Sequence, residues 1–237
     1  MPVLQLVVAS LAMGLGACVQ GAVGFGSNLV AAPLLVLIDV DFVPGPVALI
    51  SLLLNVLVRG REPAEHDRRV RLALGGLVPG ALLAGGLLSV LPDRELSLLF
   101  AALVLVAVAL TVAGLEVRPG SASLLGAGVL SGFMGTISGI GGPPMALVYQ
   151  RASGPVLRAT LAYFFLVGGI ITVATLTFVG RLGWRELALA LALVPGTLVG
   201  FAGSGALARH LDRRTARPAV LALSTLAAVA VIVKEIA

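Results

Sequence analysis

Gly21-Ala22-Val23-Gly24-Phe25-Gly26-Ser27-Asn28 is echoed later in the chain by Gly132-Phe133-Met134-Gly135-Thr136-Ile137-Ser138-Gly139-Ile140-Gly141-Gly142-Pro143-Pro144. Each stretch interrupts an apolar run, Val3 to Ile38 and Ser121 to Tyr149. A plain helical crossing takes about 20 residues, so both runs are too long for one span. Glycine lets a backbone leave helical geometry, and proline fits the first turn of a new helix. The reading is a broken helix in each half. Broken backbone at membrane depth is tolerated only when buried in protein or lining a watery cavity, so each break points to a binding site.

Working outward, the remaining apolar runs are Val43 to Val58, Leu72 to Leu91, Leu96 to Leu115, Ala159 to Val179, Leu187 to Ala208 and Ala219 to Val233. Hydrophobic residues make up 59% of the 237 and charged residues 11%, against about 25% charged in an ordinary soluble domain. Mean hydropathy is +1.10. So few charges cannot cover a water-soluble core of this size, and the bilayer must act as solvent. The opening Met-Pro-Val-Leu-Gln lacks the basic segment of a secretory signal and reads as mature structure. The net charge of +5 is dispersed over short loops, which fits membrane orientation rather than nucleic acid.

The two halves match at more than the glycine breaks. Val78-Pro79-Gly80-Ala81-Leu82 pairs with Val194-Pro195-Gly196-Thr197-Leu198, and Leu91-Pro92-Asp93-Arg94 loosely with His210-Leu211-Asp212-Arg213. The chain therefore reads as two repeats, 1–118 and 119–237. Their relative orientation follows from the basic residues. Single crossings by all eight runs would split the 16 Lys and Arg nine to seven. Hairpin returns in both broken segments leave only Arg94, Arg181, Arg185 and Lys234 outside, a split of twelve to four. The positive-inside rule selects the second arrangement. The expected fold is all-α and polytopic: two inverted-topology repeats, each a broken or re-entrant helical hairpin plus three transmembrane helices, with both termini outside the cytoplasm.

Polar residues within the runs are few. Gln20 and Asn55 carry amides that are costly in hydrocarbon and should face a partner or a cavity. Ser131 and Thr172 are expected to satisfy their own helix backbone. Gly14, Gly75, Gly76, Gly85, Gly86, Gly168 and Gly169 are expected to serve close helix packing, and Arg59 and Arg158 to snorkel from helix ends. Arg181, Trp184 and Arg185 read as an interfacial turn. Asp39, Asp41, Asp93, Glu95, Glu116 and Glu186 all fall at ends or turns, so there is no sign of a buried carboxylate relay. A path lined by amides, hydroxyls and helix starts favours an anion. Cys18 is the single cysteine and His66 and His210 lie apart, which leaves no metal set, cofactor site or nucleophile-base pair and argues against an enzyme.

The glycine-rich segments Gly21 to Pro33 and Gly132 to Pro144, the Arg158-Ala159-Thr160 start of a span, the Gly183-Trp184 turn and the Pro79-Gly80 and Pro195-Gly196 spans resemble the TauE/SafE sulfite exporter family over nearly the whole chain. Ser27-Asn28 stands where that family commonly has a denser glycine run. The resemblance implies a multi-pass protein of the bacterial inner membrane that moves sulfite, sulfoacetate or related organosulfonates. It further implies a central anion site at Gly24, Gly26, Ser27 and Asn28 from one half and Ser138, Gly139, Gly141 and Gly142 from the other. Gln20, Asn55 and Thr136 complete the candidate set. A channel-like facilitator, or a transporter of another small anion, is the alternative. Glycine-rich faces leave a homodimer open beside internal packing.

Overall fold

The computed structural model describes residues 2–62, 65–113, 117–210 and 213–236. All regular elements among them are helical: α1 Val3–Val23, α2 Ser27–Ile38, α3 Gly45–Arg61, α4 Val70–Val90, α5 Asp93–Val112, α6 Ser121–Ser138, α7 Gly142–Tyr149, α8 Gly154–Phe178, α9 Trp184–His210 and α10 Arg213–Ile236, with a single 3-10 turn at Val40–Phe42. The protein is thus an all-helical polytopic membrane protein. Six of these helices, α1, α4, α5, α6, α8 and α9, are long and apolar enough to cross a membrane. The helix pairs α1/α2 and α6/α7 fill the two long apolar runs, breaking where the glycines cluster.

Backbone geometry explains the breaks. Gly24 ends α1 at φ 97° with its N–H donating to the Gln20 carbonyl at 2.7 Å, and Gly26 opens α2 at φ 99°. In the second half Gly139 ends α6 at φ 72° with its N–H on the Gly135 carbonyl. Left-handed φ values are cheap only for glycine, so sequence and turn agree. Pro33, Pro79 and Pro195 lie inside α2, α4 and α9. In a packed membrane bundle neighbouring groups take up the backbone that an interior proline frees.

Two glycine-lined seams hold the bundle together. An added Cβ at Gly196 would lie 1.8 Å from the Ser10 carbonyl oxygen, and one at Gly200 1.9 Å from that of Gly14, so α1 and α9 touch backbone to backbone and run in the same direction. Gly80 and Gly128 do the same for α4 and α6, at 2.1 Å from the Val129 oxygen and 2.0 Å from the Ala73 oxygen. Lipid tails are as apolar as leucine, so such contact and its dispersion energy, rather than burial from water, drives association. The packing role expected of Gly14, Gly76, Gly85, Gly168 and Gly169 is what the structure has, since each would bring an added Cβ close to a neighbouring element. Gly75 and Gly86 depart from it. Both are exposed, and nothing crowds Gly86 within 4 Å.

Between the seams, α3 and α8 pack antiparallel. Leu52 and Asn55 meet Gly169, and Glu62 at the end of α3 pairs with Arg158 near the start of α8 at 3.0 Å. The outer pairs are α5 with α10, α2 with α10, and α7 with α5. Large apolar side chains such as Leu4, Leu15, Leu83, Val199 and Phe178 face outward, as a lipid-solvated surface requires. Glu116 lies outside the described residues, as do the side chains of Arg209, Arg213, Arg214 and Arg217.

Candidate functional site

The two breaks face one another at the mid-length of α3 and α8. A cavity of about 60 Å³ lies there, lined by the start of α2 (Gly26, Ser27, Asn28, Leu29), the α6–α7 break (Gly139, Ile140, Gly141, Gly142, Pro143), Gln20, Ser51, Asn55 and Phe165. At about 10–15 Å³ for each water-sized group, it has room for roughly four to six such groups, the scale of a small oxyanion.

A hydrogen-bond network sets which atoms face this space. Asn55 Nδ2 donates to the Phe165 carbonyl at 3.0 Å, which fixes the amide's orientation because a carbonyl only accepts. Asn55 Oδ1 must then accept, and it takes Gln20 Nε2 at 2.7 Å. Gln20 Oε1 in turn accepts from the Ser27 hydroxyl at 2.5 Å. Asn28 is fixed in the same way, its Nδ2 donating to the Gly139 carbonyl at 2.9 Å and to Ser51 Oγ at 2.8 Å. Each amide oxygen of Gln20 and Asn55 is engaged inside the network. The second N–H of Gln20 and of Asn55 and the hydroxyl hydrogen of Ser51 are spare donors, while Asn28 Oδ1, 3.4 Å from a Ser27 hydroxyl already committed to Gln20, is a spare acceptor.

Helix ends add to this. The N–H groups of Ser27, Asn28 and Leu29 open α2 with no side-chain cap among the described residues, and such groups and the helix dipole favour negative charge. In α7, Pro143 and Pro144 occupy the positions after Gly142 and have no N–H, so that half-helix offers fewer donors. The first half therefore supplies most of the donor chemistry. Among the described residues no charged side chain lines the cavity.

Of the eleven residues expected from sequence, Gln20, Gly26, Ser27, Asn28, Asn55, Gly139, Gly141 and Gly142 meet at this cavity. The other three do not. An added Cβ at Gly24 would contact the Arg158 side chain, so that glycine sits against the α8 end. Ser138 donates to the Met134 carbonyl at 2.7 Å and accepts from the Ile140 N–H at 3.3 Å, bracing the break from behind. Thr136 and Thr172 place their hydroxyls 3.3 Å apart, bridging α6 and α8. Thr172 thus bonds across helices, where a bond to its own backbone was expected.

Sequence reasoning passed over Ser51 and Phe165. Ser51 stands four residues before Asn55 on α3, a spacing that puts both on one face and was available to be read. Phe165 contributes a backbone carbonyl and a wall, for which no sequence signal exists. Ser131 corrects an expectation: its hydroxyl is buried and makes no hydrogen bond among the described residues, instead of bonding to its own helix. An unpaired buried hydroxyl costs about 1–3 kcal/mol. Arg158 does more than snorkel, pairing with Glu62, and Arg59 donates to the Glu62 carbonyl at 3.1 Å. At the opposite end Trp184 is exposed, Arg185 pairs with Asp41, and Arg181 bonds Asp93 and the Leu88 carbonyl, as an interfacial turn requires.

Compared with known families, the sequence matches the family described as Sulfite exporter TauE/SafE over residues 8–231. The chain belongs to the TauE/SafE sulfite exporter family. No curated protein and no solved structure gives a significant match. Membership of TauE/SafE makes this a multi-pass membrane protein of a family described as sulfite exporters.

Proposed function

We propose that the chain carries small sulfur oxyanions, sulfite or an organosulfonate, across the bacterial inner membrane by alternating access at the cavity between α2, α3 and the α6–α7 break. The observation that carries this reading is the cavity at the paired helix breaks, lined by amides, hydroxyls and a helix start, with no charged side chain among the described residues. The anion would sit on the α2 amides with Gln20, Ser27, Asn28, Ser51 and Asn55 around it.

The two units that rock are the repeats 1–118 and 119–237, in inverted orientation. Several features support this. Exchanging the first five helices for the last five turns α1/α9 into α6/α4 and α2/α10 into α7/α5, while α3/α8 and α5/α10 map onto themselves. The self-paired α3 and α8 run antiparallel, which inversion requires. Ties between the units lie at both ends of the pathway: Glu62–Arg158 at one, Arg185–Asp41 and Arg181–Asp93 at the other. Partly exposed pairs of this kind are worth about 0.2–1 kcal/mol each, weak enough to break in turn.

Reconstitution into liposomes tests the cargo. Sulfite flux is expected to saturate and to show counterflow, and taurine, sulfate and thiosulfate compared side by side would rank the alternatives. Flux that rises linearly with concentration without counterflow would mark a channel, and a failure of every sulfur anion to move would reject the assignment. Topology has its own check. Single cysteines placed near Arg68 and Arg213 are expected to react only with reagent on the cytoplasmic face; labelling from opposite faces would rule out inverted repeats.

A further inference from the structure

Asn55 on α3 and Phe165 on α8 meet at the cavity, where the two helices run antiparallel. Glu62 stands seven residues after Asn55, and Arg158 seven residues before Phe165. These two also meet, Arg158 Nε donating to Glu62 Oε1 at 3.0 Å. That spacing is close to two helical turns, roughly 10 Å, so the ion pair lies on the same stripes of α3 and α8 that line the cavity. On the proposed topology it lies toward the cytoplasmic end. Val58 and Ala162 occupy the step between, both buried in one apolar cluster. The stem of Arg158 reaches the α1–α2 break, where an added Cβ at Gly24 would lie 3.0 Å from its Cγ. From that end, the order is ion pair, apolar layer, cavity.

Helix stability accounts for neither charge. Glu62 is the C-cap of α3, where a carboxylate opposes the helix dipole, and Arg158 near the start of α8 gains nothing from the dipole of its own helix. The pair is also a thin one. Among the described residues the guanidinium bonds Glu62 through Nε, and its two terminal nitrogens make no hydrogen bond. That leaves an edge able to grip an oxyanion with two parallel N–H bonds.

We propose that Arg158 is an anion-capture site at the cytoplasmic mouth, held in this state by the Glu62 carboxylate, which stands in the place an incoming oxyanion takes. The entering anion displaces Glu62 from the guanidinium. This removes the tie between α3 and α8 above the apolar layer and lets that end part. The anion then passes to the α2 amides, and Glu62 re-forms the pair behind it. Competition from Glu62 keeps the guanidinium from trapping the ion. Opening is thereby conditional on an anion, since a cation or a neutral solute offers Arg158 nothing in exchange for Glu62. The proposal rests on the anion-transport reading above and adds a residue pair that couples loading to opening.

The concentration dependence of sulfite flux in proteoliposomes of the full chain tests this. Arg158→Gln is expected to raise the apparent KM by about tenfold or more, the scale of a charge-assisted hydrogen bond lost. Glu62→Gln is expected to lower it by about two- to fivefold, because the guanidinium no longer has to be won from a partly exposed partner. Arg158→Lys keeps the charge without the fork and should fall between Arg158→Gln and the unaltered chain. Folding does not hang on the pair, since the Asp67 N–H on the Thr160 hydroxyl at 3.1 Å and His66 stacked on Tyr163 hold the same loop to α8. A tie that served only to hold α3 against α8 would be broken alike by either glutamine variant. A KM that moves the same way in both, or in neither, while the unaltered chain transports sulfite, would therefore overturn the capture site and leave the transport reading standing. Absence of sulfite flux from the unaltered chain would overturn the transport reading and the capture site with it.

Discussion

Asn28→Ala is expected to lower sulfite flux in proteoliposomes by about tenfold or more, and Asn28→Asp by about a hundredfold or more. The alanine variant removes two hydrogen bonds, leaving the Gly139 carbonyl and Ser51 without the amide that joins α2 to the facing break. Losing a partner at a buried polar group costs about 1–3 kcal/mol, and about 1.4 kcal/mol is tenfold in an equilibrium constant. The aspartate variant keeps size and shape but sets a carboxylate in the cavity wall. Two like charges about 4 Å apart repel by about 4 kcal/mol at an effective dielectric constant near 20, which is the origin of the larger effect on an anion. A carboxylate in the first turn of a helix stabilises that helix by about 0.3–1 kcal/mol, so lost flux here does not follow from a weaker α2. Equal flux from Asn28→Asp and Asn28→Ala would mean that no anion passes this wall.

The largest effect on stability belongs to the α1/α9 seam. Gly196→Val is expected to lower the melting temperature in detergent by about 10 °C, or to prevent recovery of monodisperse protein. Its Cβ would fall 1.8 Å from the Ser10 carbonyl oxygen, and a backbone atom on a packed helix has no rotamer through which to retreat. The helices must part, and overpacking of this kind costs about 1–3 kcal/mol or more, with about 2–4 °C of melting temperature for each kcal/mol in a chain of this size. Gly86→Ala is the matched control. Nothing lies within 4 Å of its added Cβ, so that variant should melt at or slightly above the unaltered protein, helped by the better helix propensity of alanine. Identical melting of Gly196→Val and Gly86→Ala would show that the seam is not formed.

Much of the architecture could be read because its signals are local. The runs ending at Ile38 and Tyr149 close where α2 and α7 close, since glycine and proline act on their own backbone. Gln20 and Asn55 could be picked out because an amide in hydrocarbon needs a partner. What the sequence did not disclose depends on which helix lies opposite. Ser131 and Thr172 look alike as hydroxyls on apolar helices, yet one meets Thr136 and the other meets no polar atom among the described residues. Gly75 and Gly76 are neighbours in the chain, but only Gly76 faces α6 closely. The conformation at Gly24 suited the break, while its neighbour across the fold, Arg158, was set by the distant start of α8.

That no charged side chain among the described residues lines the cavity at the breaks bears on speed. A fixed guanidinium or ammonium would hold an oxyanion tightly, and each additional 1.4 kcal/mol of grip lengthens its stay about tenfold. Dipoles of amides and helix ends attract the ion without a full opposing charge. On the proposed reading, such a site would fill when the anion is abundant and empty readily on the dilute side. On the proposed mechanism turnover would be paced by the reorientation of α3 against α8, and the protein would suit a high anion concentration rather than the capture of traces.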